Sequence, residues 1–499
     1  MFPHSALPRS IRSMPCVMSK RPKVRAVAMI PLLLAGCAVG PDYHAPNQAT
    51  LGVPPNYAPP VTAAVQSQSS RASQIEHTDL AAWWRQFDDP LLTDLIARAT
   101  SDNLQIAQSL ARLAQAREAR IQAQGNLLPT VTASAGANEN AAVSSHRTST
   151  SSQFSLEGDA SWQADVFGGL TRNVQAARAE EAAARFDLEG VRTSIAGEVA
   201  TNYVEARLAQ ARLAIARSTL ATQDDNLQIA KWRVQAGLVS ALDVEQARTQ
   251  RAQTAAGIPV LETSYLQAVA RLGTLTGQAP GALRSTMETA QPIPLGPDEI
   301  AIGIPADTLR RRPDVRSAER QLAAATARIG VAKAALFPAL SISGNINTDG
   351  SSIGKLGSLL TGGLFASVAQ TIFDAGRHRS EVRAARAGAD LAFANYKQTV
   401  LSGLEDVENA VQALEAAKAR QAQLLIAVDA SNNAAVYARS QYRAGLIDFL
   451  SLLQSEQALL SARDQLASAR ADQSLALVQL YLALGGGWQP TTSTGNQSD

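Results

Sequence analysis

Cysteine is nearly absent: of 499 residues only Cys16 and Cys37 carry a thiol. No disulfide framework or thiolate metal site is available beyond residue 37. Aromatic residues make up 5% of the chain, few for the two or three compact cores such a length would ordinarily hold. The five histidines (His4, His44, His77, His146, His378) are isolated, with no HExxH and no ligand cluster. The nearest approach to a phosphate loop, Gly350-Ser351-Ser352-Ile353-Gly354-Lys355, is one residue short between its glycines. It also has Leu356 where Ser or Thr should follow. It reads as a flexible hairpin loop. These absences exclude a recognisable catalytic, cofactor or metal site.

A long hydrophobic run is also missing from the N-terminus. Ala26 to Gly36 is apolar for only 11 residues, against the roughly 20 of a spanning helix. The run follows Lys20, Arg21, Lys23 and Arg25 and ends in Leu34-Ala35-Gly36-Cys37. That is a signal peptide closing on a lipobox: cleavage before Cys37 leaves a thiol and an amine for acylation. Met14 and Met18 are alternative starts, and Ala38 fits sorting to the bacterial outer membrane. Without residues 1–36 the balance is 39 Lys and Arg against 43 Asp and Glu. A slightly acidic mature chain argues against nucleic acid as a partner. With Cys16 removed and Cys37 given to lipid, no internal disulfide remains.

Proline is missing between Pro129 and Pro259 and again between Pro338 and Pro490. Within the first interval Leu188, Val191, Ile195, Val199 and Tyr203 recur at three- and four-residue steps. This predicts one amphipathic helix from Leu170 to Ala236, about 100 Å long at 1.5 Å per residue. Gly237 ends it, and a return helix is expected from about Ser240 to Leu272. The second interval predicts a rod from about Gly376 to Ala444, a turn at Gly445 and a return helix to about Leu484. Helices of this length must pack side by side as coiled coils.

The two intervals are copies. Gln235-Ala236-Gly237-Leu238-Val239 matches Arg443-Ala444-Gly445-Leu446-Ile447 at an offset of 208. The same offset relates Ala176-Ala177-Arg178-Ala179 to Ala384-Ala385-Arg386-Ala387 and Leu272–Gly277 to Leu480–Gly485. Such a repeat is too long for a solenoid and is a tandem duplication of half a fold.

Before each rod the period falls to two. Phe154, Leu156, Gly158, Ala160, Trp162, Ala164 and Val166 alternate with Ser155, Glu157, Asp159, Ser161, Gln163 and Asp165. The pattern suits a strand between lipid and water, with the acids on the wet side. Val131 to about Asn140 is its expected partner, with Ser144 to Ser152 as the connecting loop. In the second copy Leu340, Ile342, Gly344 and Ile346 alternate with Ser341, Ser343, Asn345 and Asn347, and a strand from about Leu364 to Phe373 follows. Four strands cannot close a membrane barrel. Two chains would supply eight and three would supply twelve.

At this point the chain resembles a family. Cys37-Ala38-Val39-Gly40-Pro41-Asp42-Tyr43, Trp83–Leu91 at the first helix, Trp162–Gly168, Arg311-Arg312-Pro313-Asp314-Val315-Arg316, Ala327–Gly330, Phe337-Pro338 and Phe373–Arg377 are similar to outer-membrane factors of the TolC/OprM superfamily. In particular the chain resembles NodT-type lipoproteins of resistance-nodulation-division efflux systems. The resemblance implies an α+β membrane protein that works as a homotrimer. Twelve strands would form an outer-membrane barrel continuous with a twelve-helix coiled-coil tunnel in the periplasm. It further implies a passive exit duct for drugs or other small molecules, served by a periplasmic adaptor and an inner-membrane pump. A type I protein-secretion channel is the alternative, and a periplasmic coiled-coil scaffold would leave the hairpins unexplained.

The expected organisation is a signal peptide (1–36), a lipidated extended segment (37–80), a first repeat (81–285), an equatorial linker (286–307), a second repeat (308–487) and a tail (488–499). Arg311, Arg312 and Asp314 read as a cap and ion pair around Pro313 at a helix start. In the resemblance Ala236, Gly237, Leu238 and Ala444, Gly445, Leu446 form the adaptor-docking tips. Family members often close the tunnel with aspartates past the second tip glycine, but Ser451 and Gln454 stand there. Asp448, Leu450, Ser451 and Gln454 are the candidate gate.

Overall fold

The computed structural model describes residues 38–51, 78–144, 147–297 and 311–489. In chain order its main elements are α1 (Pro90–Asp102), α2 (Leu104–Gly125), β1 (Thr130–Ser144), β2 (Arg147–Ala164), α3 (Gly169–Gln235) and α4 (Ala241–Leu275). The second half follows with α5 (Pro313–Ala334), β3 (Ala339–Gly350), β4 (Thr361–Ala369), α6 (Arg377–Arg443) and α7 (Phe449–Ala483). The duplication is visible in lengths alone. Both rods, α3 and α6, have 67 residues, and both return helices, α4 and α7, have 35.

Each rod starts by the same device. A left-handed glycine, Gly168 (φ 77°) or Gly376 (φ 85°), precedes the first turn, and an aspartate just upstream accepts from its free N–H groups. Asp165 takes those of Leu170 and Thr171 at 2.9 and 2.7 Å, and Asp374 those of Gly376 and His378 at 2.8 Å. Those backbone hydrogen bonds, from His378 first, hold the Asp374 carboxyl below its ordinary range. Asp165 thus caps a helix and does not continue the wet face of β2.

Strand extents also differ from the sequence expectation. β2 begins at Arg147, so most of the Ser/Thr-rich stretch expected as a loop is paired strand. Its hydroxyl side chains tolerate the pleated ladder as well as a turn. β4 runs Thr361–Ala369, earlier than expected, and leaves Ile372 and Phe373 outside the ladder, 96% and 87% exposed. Trp83–Phe87 forms a 3-10 turn, and the first long α-helix, α1, begins only at Pro90, where the Asp89 carboxylate accepts from Leu91 and Leu92. Pro259 sits inside α4 without ending it.

The four strands form one antiparallel sheet in the order β1-β2-β3-β4. At the other end of the short helices lies the main apolar core, built from Trp83, Leu95, Ile96, Tyr203, Leu272, Met287, Leu477 and Tyr481. Trp83 stacks on Tyr481 with centroids 5.6 Å apart, bringing the start of the first repeat onto the end of the second. A polar network crosses this core. Tyr203 donates to Asp89 at 2.6 Å, and Arg207 donates to Tyr203, Gln210 and the Thr289 carbonyl. Gln210 then donates to the Met287 carbonyl at 2.7 Å, so the start of the expected equatorial linker is pinned to α3.

Within each repeat one joint ties the start of the unit to the end of its return helix, duplicated in position but not in chemistry. Asn103 Nδ2 donates to the Leu275 carbonyl at the end of α4, and Arg312 Nη1 to the Ala483 carbonyl at the end of α7. Arg312 also pairs with Asp314 (2.8 Å) and Asp406 (2.9 Å), tying α5, α6 and α7 together. The Arg312, Pro313 and Asp314 signature is therefore architectural, with Pro313 opening α5.

Candidate functional site: a two-faced sheet and paired helix tips

Register decides what the sheet can face. Directly opposed residues share a face, and the pairs Val131↔Ala160, Trp162↔Ile342, Leu156↔Thr348, Ile346↔Gly158, Gly344↔Leu364 and Leu340↔Val368 align the apolar positions of all four strands. On that face Val131, Leu156, Ile346, Leu364 and Val368 are 49–82% exposed. The other face pairs Thr132 and Asn345 with Asp159, Ser134 and Asn347 with Glu157, and Ser155 with Asp349. Phe365 is its one large apolar side chain in β4. The outer edges of β1 and β4 have no partner strand among the described residues. An apolar face that wide, left bare beside unpaired edges, requires lipid on one side and further strands at the edges.

No described helix is long and apolar enough to cross a membrane. The rods instead end in two adjoining turns. Gly237 (φ 72°) and Gly445 (φ 76°) sit after α3 and α6. Leu238 N donates to Arg233 O and Gly237 N to Val234 O, both at 2.9 Å; Leu446 and Gly445 repeat the pattern on Gln441 and Tyr442. This pair of hydrogen bonds closes the last turn and needs a left-handed residue at the glycine. Ala236, Leu238, Ala444 and Leu446 surround it, with both leucines exposed.

The two turns are tied to each other. Arg233 Nη1 donates to the Tyr442 carbonyl at 2.6 Å, and its guanidinium lies 4.5 Å from the Tyr442 ring centroid. Tyr442 packs on Phe449 within a small core that includes Ala247, Ala438 and Leu452. Sequence spacing gave no sign of these ties, because the partners lie 209 residues apart. Asp448 caps α7, accepting from Ser451 N at 2.8 Å, and the Ser451 hydrogen bonds hold its carboxyl below the ordinary range. Leu450, Ser451 and Gln454 lie within about 100° of helix arc, and Leu450 and Ser451 are exposed. Phe449, Leu452 and Glu456 turn inward.

At the sheet end, an N-terminal strap is seated on the helix starts. Val39 N donates to Phe167 O at 3.1 Å, Asp42 pairs with the buried Arg172 at 2.8 Å, and Tyr43 donates to Glu319 at 3.1 Å. Gly40 approaches so closely that a Cβ there would lie 2.5 Å from Gly330 Cα. Cys37 lies outside the described residues, one position before this strap.

A sheet with one lipid-compatible and one wet face, continuous with paired rods, defines an outer-membrane channel. The chain belongs to the outer membrane efflux protein family, whose model matches residues 95–278 and 304–486. It is 30% identical to nodulation protein T of Rhizobium leguminosarum bv. trifolii over 468 residues, covering 93% of this chain and 97% of that protein. It is 31% identical to the pyoverdine export outer membrane protein OpmQ of Pseudomonas putida over 485 residues, covering 94% and 99%. Among solved structures it is similar to the outer-membrane channel OprN, with TM-score 0.81 and 35% identity over 91% of this chain and 100% of that one. The protein is thus an outer-membrane channel component of efflux systems, and not an enzyme.

Proposed function

We propose that three copies assemble into a passive exit duct for small molecules, anchored by lipid on Cys37, opened at its periplasmic tips and driven by an inner-membrane pump. The open-edged, two-faced sheet carries this reading. Edge-to-edge pairing of β1 and β4 between copies removes the unpaired edges, and three copies give twelve strands with Glu157, Asp159 and Asp349 toward the water. The rods, about 100 Å long, reach across much of the periplasm. Ala236-Gly237-Leu238 and Ala444-Gly445-Leu446 are the docking points for a membrane-fusion adaptor, and a resistance-nodulation-division pump supplies energy and selectivity. Leu450, Ser451 and Gln454 form the narrowest ring, with Asp448 already engaged as a cap. Relatives named for export of pyoverdine and efflux of toluene support small-molecule cargo.

Mass measurement of the purified protein in detergent tests the assembly: three copies are expected, and a stable folded monomer overturns it. Mass analysis of the mature N-terminus tests the anchor. Acylated Cys37 is expected, with acylation lost in Cys37→Ser, whereas an unmodified chain beginning upstream of residue 37 overturns it.

A further inference from the structure

The first turns of α6 carry a charge pattern that the duct does not use. Arg379, Arg383 and Arg386 fall within about 60° of helix arc, on the exposed side of the rod. None of the three makes an ion pair or side-chain hydrogen bond with another described residue. The nearby acids are mostly engaged: Glu381 accepts from or pairs with His378, and Asp374 caps the helix. Asp390, one turn beyond Arg386, is the exposed exception. Three guanidinium groups held together with so little compensation repel one another, so the stripe faces a source of negative charge.

The repeat identifies which way the stripe points. At the 208-residue offset Arg383 and Arg386 correspond to Gln175 and Arg178 of α3. Gln175, Arg178 and Ala182 line a cleft of about 300 Å³ together with Pro41 and Tyr43 of the N-terminal strap. A strap that begins beside a lipid-bearing residue runs over the outside of the duct, because an acyl chain has no place in a water-filled lumen. The corresponding face of α6 is therefore also outside, and no described part of the strap covers it.

Height along the molecule narrows the partner further. The apolar sheet face ends at Val368, followed by the exposed Ile372 and Phe373. Arg379, Arg383 and Arg386 then lie about 4, 10 and 15 Å below Gly376. A headgroup layer is about 5–8 Å thick on each side of the hydrocarbon. Arg379 falls within it, whereas Arg383 and Arg386 start below it and reach back toward it along their flexible stems, which on a helix lean toward its N-terminus. Guanidinium groups bind phosphate oxygens in bidentate fashion.

We infer that Arg379, Arg383 and Arg386 form a docking stripe for anionic phospholipid headgroups of the periplasmic leaflet, with phosphatidylglycerol as the preferred ligand. The trimer would carry three such stripes around its waist, fixing the depth at which the barrel sits. This rests on the membrane placement proposed above.

Native mass spectrometry of the full-length assembly, loaded with equal phosphatidylglycerol and phosphatidylcholine and then washed in detergent, tests it. The wild type should retain phosphatidylglycerol preferentially. Arg379→Gln/Arg383→Gln/Arg386→Gln should lower that preference by about tenfold, and Arg383→Gln alone by about threefold. The corresponding triple Lys variant should keep most of it, as should Lys231→Gln/Arg248→Gln/Arg443→Gln at the far end of the rods. Equal retention of both lipids by the wild type, or unchanged preference in the triple Gln variant, overturns the inference. Assembly mass and bilayer conductance in the same samples keep the two questions apart: their failure in the wild type counts against the trimeric duct itself.

Discussion

Both carboxylate oxygens of Glu456 lie 2.7 Å from Nδ2 of Asn226, joining α7 to α3 toward the tip end of the helix pairs. Arg439 of α6 approaches the same carboxylate at 3.4 Å, so one buried acid touches three helices. With Arg233 on Tyr442, this cross-link holds the tips of the two repeats together. Any widening of the tips must break or stretch these contacts.

Removing the amide should therefore weaken the fold. Asn226→Ala should cost about 1.5–3 kcal/mol, the range for a hydrogen bond to a charged group. Denaturant unfolding of the detergent-solubilised protein measures it, and an unchanged midpoint would show the contact to be idle.

The same acid gives a pH dependence. Burial, the largest cause, pushes the Glu456 carboxyl above its ordinary value of 4.5, opposed by Asn226 and Arg439. The folded state thus holds the proton more tightly than the unfolded chain. Its contribution to stability is complete below pH 4.5 and is lost as pH rises through the elevated folded value. Thermal unfolding across about pH 4 to 8 should show a shallower decline with rising pH in Glu456→Gln than in the wild type. Identical slopes would mean that the carboxyl does not titrate differently on folding.

Two left-handed glycines should respond unequally to alanine. A Cβ added at Gly237 would meet open space, so Gly237→Ala carries only the backbone penalty, about 1–2 kcal/mol. At Gly277 (φ 71°) the same Cβ would also lie 2.5 Å from the Asp102 carbonyl oxygen, a backbone atom with nowhere to move. Gly277→Ala should lower stability substantially more, and equal losses would argue that the joint between α4 and α1 yields.

The absence of any cysteine beyond Cys37 makes the sheet faces directly testable. Glu157→Cys and Asp159→Cys should react with a charged, membrane-impermeant thiol reagent in the inserted protein. Leu156→Cys and Ile346→Cys should be protected by lipid. Reversed labelling would mean that the sheet faces the other way.

Tip and gate separate by readout. Gly445→Val should impair export without altering assembly mass, because a β-branched residue resists φ near 76°. Leu450→Ala or Gln454→Ala should raise conductance in planar bilayers. Unchanged conductance in both would place the constriction elsewhere.

Local pattern along the chain was enough to dictate the repeating plan. Two proline-free intervals, a glycine at the same place in each copy and alternation before each rod encode two 67-residue helices, their return helices and two hairpins. Helix periodicity, helix termination and strand alternation all act within a few residues. The family signature was legible for the same reason. How distant pieces meet came only with the folded packing. Asp165 looks like one more acid on a wet strand face, yet the backbone of Gly168 turns it into the cap of α3. The Ser/Thr run after Ser144 looks like a loop, yet pairing along β1 makes it strand. Glu456 with Asn226, Arg233 with Tyr442 and Arg312 with Asp406 each join residues at least 94 positions apart, and no local pattern encodes those pairs. They depend on the packing of whole helices, whose rotation and offset are fixed only when the apolar faces of both repeats are buried together.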